Sequence, residues 1–403
     1  MFERLIYAGV HHNSFERASD ALQHLADLPI AAKQVERLTQ RIGAERCLER
    51  DAAVAAYQAL PLVQRQSAPA GVVAPDLAVV QVDGGRLQVL DRGAVAEAAA
   101  PSEAATPAGH WREDKIGLLA TRTSKVSLVD PCPTIPEYFV DPLRILKVAQ
   151  EIKGSTGVSA AAAPESGVAA PESAATTTVT APELSQRSVT ATLQDVHGFG
   201  AMLAEAAWTR GFYEAKRRAF VADGSSANWG VWERHFSNFT PIVDFIHALS
   251  YVFQAATAGR SFALGWAADT EWIQALWAGQ VEQVIVALAQ RQVDLGAPTA
   301  DEPETSPKNR VAEALVYLQN QKERMRYGEY RKQGLPLTSS HIESTIKQMN
   351  QRVKGTEKFW SSEGAEAILQ LRADALSETA PLEGFWERRQ AGATGQRRYR
   401  AAG

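Results

Sequence analysis

Hydrophobic positions recur at helical spacing through the first 66 residues. Phe15, Ala18, Leu22 and Leu25 follow Asn13 and Glu16, which have the spacing of a capping box. Leu28-Pro29-Ile30 interrupts the pattern. A second amphipathic run then carries Val35, Leu38 and Ile42, with Lys33, Arg37 and Arg41 on its polar side and Gly43 as its expected stop. Two short helices about a turn are compatible with a helix-turn-helix, although helical hairpins that touch no DNA are commoner. After a Pro/Ala/Gly linker at 69–75, the period changes to that of strands. Leu77 to Asp83 reads as a buried strand, Arg86 to Leu90 alternates, and Gly84-Gly85 between them predicts a tight hairpin. A third strand is expected over Lys115 to Val126, and a short helix near Pro142–Ile152.

Ala/Pro-rich residues 93–109 predict a loose loop. Residues 154–187 are Ala/Ser/Thr/Pro with almost no large apolar side chains, and predict a disordered insertion. Beyond them, a helix over Phe199–Lys216 leads into a buried strand, Ala219 to Ala222, that ends at Asp223-Gly224. A helix over Trp229–Phe236 and a strand at Pro241–Asp244 follow, and Asp244 and His247 then share one face of the next helix at i,i+3. Tyr251 to Tyr330 is helical almost throughout and predicts an inserted block with a small core of its own, interrupted by an acidic, proline-containing loop at Pro298–Lys308. The Gly334-Leu335-Pro336 turn then opens a last helix. Ser339 or Ser340 is placed to cap it, and Ile342, Ile346, Met349 and Val353 form its apolar stripe. Glu343, beside that stripe, reads by itself as a first-turn residue favoured by the helix dipole.

Composition changes this picture little. The 403 residues, 45% hydrophobic and 22% charged, have room for two or three domains. No apolar run of membrane-spanning length and no signal pattern is present, which predicts a soluble, cytoplasmic, nucleoid-associated protein. Cys47 and Cys132 are too few for a disulfide framework or a four-cysteine zinc site. The net charge of −4 argues against a globally basic nucleic-acid binder, but residues 321–360 hold nine Lys/Arg against four Glu, interleaved with Tyr327, Tyr330, Phe359 and Trp360. Gln396 to Arg400 adds a basic tail.

Three carboxylates stand at the ends of predicted elements: Asp83, Asp223 and Glu343. Two follow buried strands and precede glycine, where a side chain can reach a cleft beyond the strand ends. Hard divalent ions take oxygen ligands, so two Asp and a Glu suit a two-metal site for phosphodiester chemistry. The element order, three strands followed by helix, strand, helix, strand and a late Glu-bearing helix, fits a ribonuclease-H-like sheet.

Several motifs together resemble the ISKra-type bacterial insertion-sequence transposases, relatives of the Mutator-like DDE transposases. They are Val82-Asp83-Gly84-Gly85-Arg86, Val221-Ala222-Asp223-Gly224, Asp244-Phe245-Ile246-His247, Arg324-Met325-Arg326-Tyr327, Gly334-Leu335-Pro336, His341-Ile342-Glu343-Ser344 and Arg352 to Trp360. The resemblance spans roughly residues 77–372. It implies an α/β fold with a ribonuclease-H-like mixed sheet and an all-helical insertion, preceded by a small helical N-terminal domain. It also implies a metal-binding triad of Asp83, Asp223 and Glu343 for Mg2+ (or Mn2+), with the Asp-x-x-His signature falling on Asp244 and His247. The expected organisation is a helical domain over 1–66, a catalytic core over 76–250, a helical insertion over 251–332, the Glu-bearing end of the core over 333–375 and a basic tail over 376–403. The implied partners are DNA, as the element's terminal inverted repeats and as target, and a second copy of the chain. Arg326, Lys347, Arg352 and Lys354 are the expected DNA-backbone contacts. The chain departs from some relatives in carrying Thr338-Ser339-Ser340 where glycines would precede the Glu helix. The competing readings are a nuclease or resolvase on the same fold and a non-catalytic DNA-binding transposase remnant.

Overall fold

The computed structural model describes residues 2–90, 111–153, 182–355 and 358–392. The linker at 91–110, residues 154–181 of the low-complexity insertion and the basic tail from 393 lie outside the described residues.

A five-stranded mixed sheet organises the chain. Its strands are β1 (Leu77–Gln88), β2 (Trp111–Thr123), β3 (Glu183–Thr192), β4 (Arg217–Ala222) and β5 (Thr240–Val243), in the order β3-β2-β1-β4-β5. β1, β2 and β3 pair antiparallel, whereas β4 and β5 run parallel to β1. The parallel strands are almost wholly buried, as strands covered on both faces must be.

The expected hairpin at Gly84-Gly85 does not form. β1 runs straight through both glycines, paired with β2 from Leu77↔Arg122 to Gln88↔Trp111. The glycines serve close approach instead of a turn, because a Cβ on Gly85 would stand 2.9 Å from Asp114 Oδ1 on the facing strand. The low-complexity segment also proves shorter than its composition suggests, since residues 183–187 begin β3. This strand needs few large side chains because it lies at the sheet edge, with Arg210 donating to Ser188 Oγ and to the Gln186 carbonyl.

The first four helices are α1 (Phe2–His11), α2 (Phe15–Ala26), α3 (Ala32–Ala59) and α4 (Leu62–Arg65). Ser14, not Asn13, caps α2 by accepting from the Arg17 N–H. Gly43 is no stop: α3 continues 16 residues past it, and the missing side chain lets α3 approach the Ala367 backbone, 2.5 Å from where a Cβ would be. These helices share a core with the C-terminal helices α14 (Ser362–Leu376) and α15 (Pro381–Ala391), including Val35, Ile42, Leu371 and Phe385. A buried ion pair, Arg46 Nε to Asp374 Oδ2 at 2.8 Å, locks them together.

Between the strands lie α5 (Pro142–Lys153), α6 (Val196–Thr209) and α7 (Ser226–His235). α6 ends before Lys216; a 3-10 turn at Phe212–Glu214 then leads into β4. After β5 come α8 (Phe245–Thr257), α9 (Phe262–Trp277), α10 (Val281–Leu295), α11 (Pro307–Gln321), α12 (Tyr327–Lys332) and α13 (Ser340–Val353). The helical block has no separate core. Val284, Leu288, Val311 and Leu318 belong to one apolar cluster with Val79, Val80 and Phe220 of the sheet. The other face of the sheet, through Leu87, Ile116 and Leu118, is covered by Ile342, Met349 and Val353 of α13 and Ile368 and Leu369 of α14. Among the described residues, no helix is long and apolar enough to cross a membrane.

Candidate functional site

Sheet register sets the site. Gln81 pairs with Val221 on β4, and Ala222 pairs with Val243 on β5. Asp83 and Asp223 lie the same two residues beyond the first pair, and Asp223 and Asp244 the same one residue beyond the second. The three aspartates therefore form a row just past the parallel pairing, at the carboxyl ends of β4 and β5 and beside them within β1, which continues to Gln88, so the sequence expectation that Asp83 ends a strand is corrected. α13 brings Glu343 to the same row. Its start is tied down by Gln81 Nε2 donating to the Thr338 carbonyl at 3.0 Å and by Phe245 N–H donating to the Leu337 carbonyl at 2.9 Å.

Asp244 is fully buried and starts α8, accepting from the Ile246 N–H at 2.8 Å through Oδ1. Its Oδ2 accepts from His247 Nδ1 at 3.2 Å and from the Ser339 hydroxyl. Ser339 occupies the position expected of the α13 cap, but its hydroxyl is given to Asp244 and not to the free N–H groups of α13. Asp223 lies in the turn before α7, where Oδ1 accepts from the Ser225 N–H and from Asn228 Nδ2, both at 2.9 Å. The turn requires Gly224, which has φ of 103° and whose Cβ would lie 2.8 Å from the Tyr317 ring. Tyr317 and Gln321, one turn apart on α11, donate to the carbonyls of Asp223 and Gly224 at 2.7 and 2.9 Å.

The groups titrate as a coupled set. Burial pushes Asp83 up to about 6; the Gly84 N–H and the charge of His247 pull it down, while Asp223 and Glu343 push it further up. Glu343 is raised by burial and by Asp244, against the pull of His247 and Lys347. Burial opposes charging His247, but the hydrogen bond and charge of Asp244, joined by Asp223 and Asp83, win and raise it to about 9. At neutral pH the site thus holds an imidazolium among carboxylates.

Asp244, His247 and Glu343 form the tightest set, with ligand atoms all within 4.8 Å of one another. Asp83 and Asp223 are coupled to this set by charge without belonging to it. Glu343 Oε1 is buried with no hydrogen-bond partner, which is costly unless something fills the place. His247, held as imidazolium, is no ligand, but the orphaned Glu343 oxygen beside the charge-coupled Asp83 and Asp223 carboxylates offers the oxygen donors that a hard divalent cation takes.

The surroundings depart from expectation. Arg352 is 2% exposed: Nε donates to the Gly9 carbonyl at 2.9 Å and the guanidinium lies 4.3 Å from the Phe15 ring centre. It cannot meet a DNA backbone there. Arg331 is likewise buried, paired with Asp130 and stacked 4.1 Å over Trp277. Tyr327 and Tyr330 are buried and donate to carbonyls of Val243 and Pro241, so they are core and not an aromatic rim. Lys347 and Lys354 are exposed. Lys347 stands 3.7 Å from Glu151, and Lys354 Nζ lies 5.8 Å from the Trp111 ring centre. Arg326 is exposed and paired with Glu323.

No protein-family model matches the chain, and no curated protein matches it.

Proposed function

We propose that this chain is a DDE transposase with a ribonuclease-H-like core, which cleaves DNA at the ends of its own element and joins the freed 3′-hydroxyl to target DNA. The observation that carries the reading is the sheet register that lines up Asp83, Asp223 and Asp244 on adjacent strands, with Glu343 of α13 grouped with Asp244 and His247. The succession of three antiparallel strands, with α5 inserted between the second and third, then helix, strand, helix, strand and a late Glu-bearing helix supports the same reading. So does the resemblance of the motifs that bear these residues.

Asp83, Asp223 and Glu343 are the residues that would hold Mg2+ or Mn2+. When bound, the metal supplies charge neutralisation at the attacking and leaving oxygens of the phosphodiester. Asn228 and the Ser225 N–H fix the orientation of the Asp223 carboxylate, leaving Oδ2 directed elsewhere. Asp244 and Ser339 hold His247 in place. Charged at neutral pH, the imidazolium balances the carboxylates and stands ready to meet an anionic phosphate. Lys347, Lys354 and Arg326 are the exposed cations that would follow the DNA backbone. Pairing two ends for transposition calls for at least two copies of the chain on DNA.

The test uses duplexes drawn from the DNA flanking the coding sequence, incubated with the full chain and Mg2+. Wild type is expected to cut at defined ends and to join a pre-cut end to a second duplex. Asp223→Asn is expected to abolish both reactions while retaining DNA binding. Cleavage by Asp223→Asn at the wild-type rate would sink the assignment, and cleavage without joining would favour a nuclease or resolvase.

A further inference from the structure

A cleft of about 230 Å3 opens between the first turn of α6 and one face of α7. His197, Ser226, Gly230, Arg234 and His235 line it, and no acidic side chain does. Ser226, Gly230 and Arg234 recur every four residues, so they form one stripe along α7. Gly230 leaves the stripe open, since nothing lies within 4 Å of where its Cβ would be.

The charges in this cleft lack the counterpart that surface cations normally find. Arg234 has no ion pair among the described residues, and its guanidinium donates instead to Nδ1 of His197. That bond leaves Nε2 of His197 as the position for the ring's proton. The neighbouring acid, Asp195, is committed to the start of α6, where it accepts from the N–H groups of His197 and Gly198 at 3.1 and 2.8 Å. Burial pushes His235 down to about 4, and the charges acting on it, Arg234, Arg65 and His197, all disfavour its charged form. Arg65 also has a buried Nε with no partner. The open space is thus lined by donors of Arg234, Ser226 and His197, and Arg234 brings it a positive charge with no paired acid among the described residues.

The same helix holds the carboxylate row. α7 begins three residues after Asp223, and Asn228, on the turn between Ser226 and Gly230, donates to the Asp223 carboxylate. An anion in the cleft would therefore be held by the same helix that, from its other side, orients Asp223.

We propose that this cleft binds a backbone phosphate of the nucleic acid whose strand reaches Asp83, Asp223 and Glu343. The proposal rests on the functional reading above and adds to it a positioning contact on the α6–α7 side of the row. A phosphodiester suits the cleft because it brings one negative charge and two free oxygens to donors spread over Arg234, the Ser226 hydroxyl and His197 Nε2. A guanidinium is the side chain best shaped to meet two such oxygens at once.

The test measures binding of the full chain to a fluorescent duplex by anisotropy over a salt series without Mg2+. Arg234→Ala is expected to weaken binding about fivefold or more and to make the slope of log affinity against log salt shallower by about 0.9, the loss of one phosphate contact. Arg234→Lys keeps the slope. Wild-type affinity and slope in Arg234→Ala overturn the proposal. Should wild type bind no duplex, the functional reading falls instead, and the cleft is judged with inorganic phosphate alone. Saturable shifts of the His197 and His235 ring signals, lost in Arg234→Ala, then support an anion site, and their absence overturns it.

Discussion

The Ser339 hydroxyl donates to Oδ2 of Asp244, the same oxygen that accepts from His247. One buried contact thus joins the start of the Glu343 helix to the aspartate at the end of β5 and to the histidine above it. A hydrogen bond to a buried charged group contributes about 1.5–3 kcal/mol. Ser339→Ala is expected to lower unfolding free energy by about that amount in urea titration. Ser340→Ala, at an exposed position one residue on, is expected to change it by less than about 0.5 kcal/mol. Equal effects of the two substitutions would mean that the contact does not anchor α13.

Without a cation, the clustered carboxylates oppose folding. Glu343→Gln or Asp83→Asn is therefore expected to raise the melting temperature in EDTA, because each removes a raised, crowded acid. In wild type, Mg2+ at about a hundred times its dissociation constant is expected to add about 2.7 kcal/mol of stability. The substituted proteins are expected to lose most of that increment. Thermal melts with and without Mg2+ check both signs, and equal Mg2+ stabilisation of all three proteins would exclude these residues as ligands.

His247 gives a pH signature of its own. Its folded value, about 9, lies above the ordinary 6.5. The Asp244–His247 pair therefore contributes its full stability below about pH 6.5 and loses it as pH rises through 9. In metal-free protein, the His247 ring is expected to titrate near 9 by NMR. Mg2+ is expected to lower that midpoint, since a cation among the same carboxylates disfavours imidazolium. A metal-free midpoint at or below 6.5 would remove the charged histidine from the site.

What could be read from the chain in advance was whatever left a local imprint. The α13 stripe from Ile342 to Val353 and the apolar runs of β1 and β4 did so, and Asp83 and Asp223 were conspicuous because a glycine follows each. Gly84-Gly85 misled because a Gly-Gly step serves equally for a hairpin and for a strand that another strand must approach closely. β3 leaves no sequence signal, and no strand is expected there, because an edge strand needs few apolar residues. Arg352 reads as surface because charge in sequence says nothing of Phe15 and Gly9, which meet it from far along the chain and enclose it together with the nearby Trp360. Asn228 and Ser339 left no sequence mark as site residues, since each acts by orienting a carboxylate through space. The union of α3 with α14, sealed by Arg46 and Asp374, joins positions 328 residues apart and was beyond any local pattern.

Asp114 carries the last expectation. It lies opposite Gly85 on β2, is fully buried, and neither carboxylate oxygen has a hydrogen-bond partner. Burial raises it from 3.8 to about 6, with Lys354 and its own backbone N–H pulling the other way. For an acid raised in the folded state, the sign is fixed. Below about pH 4 both states are protonated and burial costs no ionisation. As pH rises through 6, the folded protein must ionise a carboxyl that the unfolded chain has already ionised, so stability is lost. A shift of that size corresponds to about 3 kcal/mol. Glu205, half-buried on α6 and raised to about 7, adds a slope of the same sign, so wild type alone cannot isolate Asp114. Asp114→Asn can, because its own cost of burying an amide does not vary with pH. The difference in unfolding free energy between Asp114→Asn and wild type is expected to move by about 2.5 kcal/mol in favour of the variant between pH 4 and pH 8. Denaturant titrations at those two pH values measure it, and a difference that stays constant would mean that Asp114 is ionised or solvated in the folded protein.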